Sequence, residues 1–550
     1  MLSLTVALTL FLPPVTYAQP TANTAPFWYG TGSGYARPFS TTQPYNPFLL
    51  DDGGLRPPIL PCYSPAPSVD ANFDRNYGAL FSFNNNPTGT RGLIINIPGK
   101  PWDGYTLLSC MNGCAHPSKP GKMFDALLID NDGEFIQGWE NIKTFPARLW
   151  PGGYVTGSGT EGSVIESPAL VSQDWCGNEV WRWDSSDYNM PGTQFHHDYQ
   201  LEGNPVGYYA PPISPSENFL PKVNGSVLAL ANHVPGNAYY YPKGWVPEGH
   251  PARDTSNISN FPLVDDAFYI INNKGQITWQ WFACDHFEQM GFSDAAKYGI
   301  MNTSAIYKDR TDWTHFNNVN WLGPNKLHKM GDNRFNPSNM IFDSRNMNII
   351  AIIANAENPG KWKRGDIIWR VGPDYGPGTP WESLGQIIGP HNAHMIPATL
   401  PGGGNILVFD NGGNGGFGAR RADCDGTYPN ALSDYSRVIE FNPETYEIVW
   451  QYTQPLSTSD RDGDGVIRGN DRKFFSATMS NAQRLVNGNT LITEANMGRV
   501  FEVTTEGEVV WEYSAGTGQT RPGIPGIVGA AVYRAYKVPK TWIPNMTCPQ

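Results

Sequence analysis

Short runs of alternating apolar and polar residues recur along the chain, and six of them end on tryptophan. They are GEFIQGW ending at Trp139, GNEVW at Trp181, GQITW at Trp279, GDIIW at Trp369, YEIVW at Trp450 and GEVVW at Trp511. Each opens on a turn and reads as a short strand. A second large residue usually follows two positions later, at Trp183, Trp281, Val371, Tyr452 and Tyr513. Period two places both side chains on one face, where they pack between sheets. Companion strands precede several copies, as in GSVLALA from Gly225, GNILVFD from Gly404 and GNTLITE from Gly488. A third strand, such as GRVFEVT, stands between companion and tryptophan strand. Six such units at long, uneven spacing predict an all-β fold, a six-bladed β-propeller with insertions mostly on one face. A β-sandwich with chance Gly–Trp turns would not carry six copies in register. Trp181, Trp279, Trp369, Trp450 and Trp511 are expected at equivalent positions.

The flanks divide the chain. Residues 1–18 read as a signal peptide with cleavage near Ala18, although no Lys or Arg opens the apolar run. Residues 19–100, rich in Pro, Asn and Ser, form an N-terminal extension or small β-domain. Residues 101–540 hold the propeller and 541–550 a tail. No later segment is apolar for long enough to span a bilayer. The expectation is an exported chain, secreted or periplasmic, without stable membrane insertion after cleavage.

Composition agrees with this division. Hydrophobic residues are 40% and charged residues 16%, with 59 Gly and 48 Pro. That mix suits a turn-rich β protein. A net charge of −12 without a basic run argues against a nucleic-acid partner. The seven cysteines (62, 110, 114, 176, 284, 424 and 548) do not form paired CxxC knuckles. In an exported protein they predict disulfides, the odd count leaving at least one thiol free or paired between chains.

The chain holds only ten histidines. His196 and His197 lie in TQFHHDYQ, His315 in DWTHFN, and His391 and His394 in IIGPHNAHMIPATLPGGGNILVFDNGG. All stand shortly before, or at the start of, an expected inner strand. Arg345 lies in FDSRNMNIIAII. Inner strands line a propeller's channel, so these residues are expected to converge at one mouth. A metal site is a poor fit, since HxH and HExxH spacings are absent and Arg345 repels a cation. Two readings remain at this level: separate hydrogen-bonded loop histidines, or an anion pocket with one neutral histidine as nucleophile.

FHHDYQ, DWTHFN, FDSR followed by NIIAII, PHNAH with GNILVFDNGG, and DYSRVIEF with EIVWQY resemble the arylsulfate sulfotransferases over roughly residues 100–540. That resemblance implies a six-bladed propeller that moves a sulfuryl group from a phenolic ester to a phenol through a sulfohistidine. It uses no nucleotide donor and no catalytic cofactor; its partners are small aryl sulfates and phenols. By the same resemblance His391 matches the nucleophile, and His197, His315 and Arg345 match supporting catalytic residues. His196 is the alternative to His197 for the channel-facing side chain. Asn317 shares the face of His315 and is a candidate substrate-binding residue. His394, three residues past His391, faces away from it in an extended segment and is a support or rim residue. Pro390 stands where the family pattern has a polar residue such as Gln.

DRDGDGVIRGND, Asp460 to Asp471, has the spacing of a calcium loop, with Asp460, Asp462 and Asp464 at positions 1, 3 and 5, Gly465 at 6 and Asp471 at 12. It predicts a structural Ca2+. The alternative overall function is a non-catalytic propeller that binds an anionic or aromatic ligand. A quinone-dependent dehydrogenase shares tryptophan-terminated repeats but would want more blades.

Overall fold

The computed structural model describes residues 92–161, 166–188, 193–222, 224–233, 265–292, 314–413, 433, 435–453, 474–515 and 532–548. The expected signal peptide, the extension up to residue 91 and the expected calcium loop with Asp460, Asp462, Asp464 and Asp471 lie outside them.

Six antiparallel sheets form the six-bladed propeller. From the channel outward, the second blade is Lys143–Trp150, Tyr154–Ser158, Ala169–Gln173 and Glu179–Asp184. The third is Gln194–Leu201, Val227–His233, Asp265–Ile271 and Ile277–Phe282, with Glu166–Ser167 added on its inner edge. The fourth is Phe316–Trp321, Met340–Ser344, Ile349–Ile353 and Ile367–Val371. His391–Met395, Ile406–Asp410, Arg437–Phe441 and Ile448–Thr453 make the fifth. Asn481–Arg484, Thr490–Glu494, Arg499–Val503 and Val509–Ser514 make the sixth, with Gly92–Asn96 on its outer edge. The first blade is Tyr105–Cys114, Phe124–Ile129 and Phe135–Trp139, and its innermost strand is Val532–Val538 from the far end of the chain. That strand closes the ring.

The apolar cores lie between blades. Leu228, Phe268 and Trp281 of the third blade pack on Phe316, Phe342 and Ile349 of the fourth. Each middle strand is covered on both faces, which is why stretches such as IIAII are continuously apolar and do not alternate.

The five tryptophans expected to be equivalent are each the third residue of an outer strand. Trp139 is instead the last residue of its strand, in the class of Trp183 and Trp281. The two classes share one task. Trp139 Nε1 donates to Asp174 O, Trp183 to Gly275 O, Trp281 to Gly365 O, Trp369 to Pro443 O, Trp450 to Thr505 O and Trp511 to Asn131 O, at 2.7–3.0 Å. Every acceptor sits in the turn before the next blade's outer strand, so six indole bonds run round the propeller. Where the later position is Val371, Tyr452 or Tyr513, the third-position tryptophan makes the bond. Where the later residue is itself a tryptophan, it takes over, and Trp181 is left 36% exposed.

Disulfides join Cys110 to Cys114 and Cys176 to Cys548. Cys284 is a buried thiol. Among the described residues no helix is long and apolar enough to cross a membrane.

Candidate active site

The inner strands begin at one mouth of the channel, and the expected residues stand there. His196 and His197 are the third and fourth residues of Gln194–Leu201, His315 immediately precedes Phe316, and His391 opens His391–Met395. Arg345 follows Met340–Ser344, and its backbone N–H donates to His315 O at 3.0 Å. The inner strands are not regular here. Register breaks fall between Phe195 and Tyr199, between Phe316 and Asn318, and between His391 and His394. His197, His315 and Asn392 have φ of 59°, 49° and 57°, and Met479 and Ser480, just before the sixth inner strand, have 63° and 82°. Five of the nine left-handed non-glycine residues described thus ring this mouth. Each costs about 1–3 kcal/mol, an expense found where geometry serves a site.

The bulge alters one expectation. His391 pairs with Phe409 and His394 with Leu407, so the extra residue returns both histidines to one face of the sheet. His394 is buried, with Nε2 2.9 Å from Tyr208 Oη and Nδ1 2.8 Å from Asn392 O. It is a support inside the channel wall and not on a rim. Burial, first of all, lowers its pKa to about 4.

The imidazoles are stacked edge to face. His197 lies 4.8 Å from His315 and 4.9 Å from His196 between ring centroids, and its carbonyl accepts Tyr533 Oη at 3.1 Å. His196 Nδ1 and His197 Nδ1 are 2.7 Å apart, so one of the two carries the proton. His196 Nε2 stands 3.1 Å from Asp266 Oδ1, within ion-pair reach but off the line of a good hydrogen bond. Burial is the largest influence on His197, and the nearby His315, His196, His391 and Arg345 add to it; all hold its pKa well below 6.5.

Both nitrogens of His391 are engaged. Nδ1 faces two acceptors, Asn411 Oδ1 at 2.8 Å and Gly389 O at 3.0 Å, and so carries the proton. Nε2 accepts the Met479 N–H at 3.1 Å. Burial, then Arg345 and Arg534, hold the His391 pKa well below its usual value against the pull of Asn411 and Gly389. The ring is therefore neutral at pH 7, with its lone pair on Nε2.

Polar side chains line the channel beyond this cluster. Arg148 and Arg534 share Asp198 at 2.6 and 3.0 Å, all fully buried. Arg534 also donates to Asn317 O at 2.7 Å. Asn317 Nδ2 donates to Pro390 O at 2.8 Å and Asn318 Nδ2 to Ala393 O at 2.6 Å. Asn481 and Gln483 likewise bond the backbone of Val532–Val538. Neighbouring inner strands do not pair directly, so these amides satisfy backbone groups that would otherwise be orphaned. Sequence reasoning missed this role, as it missed Asn411, Met479, Tyr533 and Arg534. The available signal was the density of amides in inner-strand segments such as FNNVNW and SNAQR.

A six-bladed propeller with neutral, buried imidazoles and an arginine at one channel mouth is suited to hold a small anion and to offer it a nitrogen nucleophile. Residues 257–516, a little under half of the chain, match the family model for arylsulfotransferase (ASST). That stretch contains His315, Arg345, His391, His394 and Asn411, while His196 and His197 precede it. No curated protein matches the chain. Among solved structures, it is similar to a Bacteroides caccae protein of unknown function at 13% identity, covering 80% of this chain and 99% of that one with a TM-score of 0.36. Virginiamycin B lyase from Staphylococcus aureus gives 10%, 80%, 88% and 0.29. The quinohemoprotein alcohol dehydrogenase of Comamonas testosteroni gives 10%, 80%, 72% and 0.32. Likenesses this distant carry no argument about activity.

Proposed function

We propose that the protein transfers a sulfuryl group from an aryl sulfate to a phenol by two displacements at His391. One observation supports this most: His197, His315, Arg345 and His391, spread over residues 197 to 391 in sequence, meet at one mouth, with the His197 and His315 rings 4.8 Å apart, the Arg345 N–H on His315 O at 3.0 Å, and Arg345 near enough to His391 to disfavour its imidazolium. In the first half-reaction His391 Nε2 exchanges its Met479 hydrogen bond for a bond to sulfur, and the bond from sulfur to the aryl oxygen breaks. Arg345 offers its planar fork to the sulfuryl oxygens, and Asn317 of the same fourth blade assists. A ring N–H of His197 or His315 stabilises the leaving phenolate by hydrogen bonding. In the second half the acceptor phenol attacks sulfur while the neutral imidazole of His197 or His315 takes its proton and passes it to solvent, and the N–S bond breaks to regenerate His391. By analogy with phosphoryl transfer the transition state is loose, so positioning and charge stabilisation dominate.

We further propose that the protein is exported, in keeping with the two disulfides among the described residues and its leader-like N-terminal sequence. A chromogenic aryl sulfate should release phenol faster when a second phenol is added. His391→Ala should lower that rate on the order of 10⁴-fold or more. Equal rates in the two proteins would reject His391 as nucleophile. Saturable ligand binding without any turnover would favour a binding propeller.

A further inference from the structure

We infer that Asn411 is a positioning residue that sets the tautomer of His391, and so decides which ring nitrogen attacks sulfur. The inference rests on the proposed sulfuryl transfer for its kinetic consequence, but not for its structural content. Asn411 follows Ile406–Asp410 in the fifth blade and is fully buried. Its Nδ2 donates to Ser476 O at 2.8 Å and to Met479 O at 3.0 Å. Both partners are carbonyl oxygens, which only accept, so the amide has one orientation and Oδ1 must face His391 Nδ1. An acceptor there keeps the proton on Nδ1 and leaves the lone pair on Nε2.

The same amide fixes the other end of the ring. By gripping both Ser476 O and Met479 O it holds the segment whose Met479 N–H meets Nε2. The segment is pressed onto Gly413, two residues past Asn411: a Cβ there would lie 2.4 Å from Ala477 Cα. Ser436 Oγ bridges the two pieces, donating to Asn411 O at 2.7 Å and accepting from Ser476 N at 2.9 Å. The stretch DNGG is thus a clamp. Asn411 reads both nitrogens of the histidine, and Gly413 lets the sixth-blade segment approach. Gly389 O is a second acceptor on Nδ1, so loss of Asn411 weakens the tautomeric preference without inverting the ring.

Histidine-selective 15N NMR reads the tautomer directly, with the His391 signal identified by its loss in His391→Gln. The expected parent spectrum has the proton on Nδ1. Asn411→Ala should show a mixture of tautomers, with kcat lower by on the order of 10–100-fold and a nearly unchanged KM for the aryl sulfate. Asn411→Asp keeps an acceptor and should keep the Nδ1–H form. A parent ring protonated on Nε2 would overturn the inference. So would an Asn411→Ala protein that retains the parent tautomer, even with reduced kcat, because Asn411 would then only support the loop. The parent measurement needs no variant, so a substitution that fails to fold leaves the test standing. Absence of sulfuryl transfer rejects the functional proposal alone and leaves the tautomer result readable.

Discussion

His391 differs from a free imidazole in two ways that bear on pH. It is buried, and two arginines, Arg345 and Arg534, act on it from the channel side. Both effects disfavour the imidazolium, so the neutral form persists below the usual pKa of about 6.5. A nucleophilic imidazole works only when unprotonated. The acid limb of kcat/KM in the free enzyme should therefore lie below pH 6.5, and activity should be lost only as pH falls through the depressed value. A profile of aryl sulfate cleavage from pH 4 to 8 checks this. A limb at or above 6.5 would place the essential histidine in water, at odds with its burial.

At the scale of strands and blades, the tryptophan ring gives a test that separates two residues alike in sequence. Trp369 is buried and donates to Pro443 O, whereas the equivalent Trp181 is partly exposed and Trp183 makes the bond in its blade. Trp369→Phe should destabilise the protein by about 1 kcal/mol or more for the lost bond. Trp181→Phe should stay within about 0.5 kcal/mol. Chemical denaturation of the two variants decides it. The repeat was legible because outer strands carry a turn, a period of two and a large residue at a fixed place. The inner strands were legible only as locations. Their bulges at Phe195, Phe316 and His391 break the alternation from which side-chain direction is inferred. This is why His391 and His394 were expected on opposite faces. Asn411 was invisible as a partner because its bonds reach 65 and 68 residues along the chain, to Ser476 and Met479.

At the scale of the molecule, the site exists only when the ring is closed. Tyr533 and Arg534 come from the strand Val532–Val538, which the C-terminal part of the chain lends to the first blade, and Cys548 beyond it is tied to Cys176 in the second. A chain of net charge −12 thereby places Arg345 at its channel together with Arg148 and Arg534, whose two charges share the single carboxylate of Asp198, a local excess that would suit the proposed anionic donor. The proposed calcium loop, Asp460 to Asp471, joins the fifth blade to the sixth. One Ca2+ per chain should bind the chelator-treated protein, raise its melting temperature and be lost in Asp464→Ala; a chain indifferent to Ca2+ would mark the loop as a solvated turn.

In the proposed reaction His391 carries the sulfuryl group. The direct measurement is rapid mixing with an aryl sulfate in the absence of acceptor, quenching under base, and peptide mapping by mass spectrometry. One sulfuryl group is expected on the peptide containing His391 in the parent protein. The group should be retained there in His394→Ala, absent in His391→Ala, and discharged when a phenol is added. A modified residue other than His391, or continued turnover by His391→Ala, would contradict it.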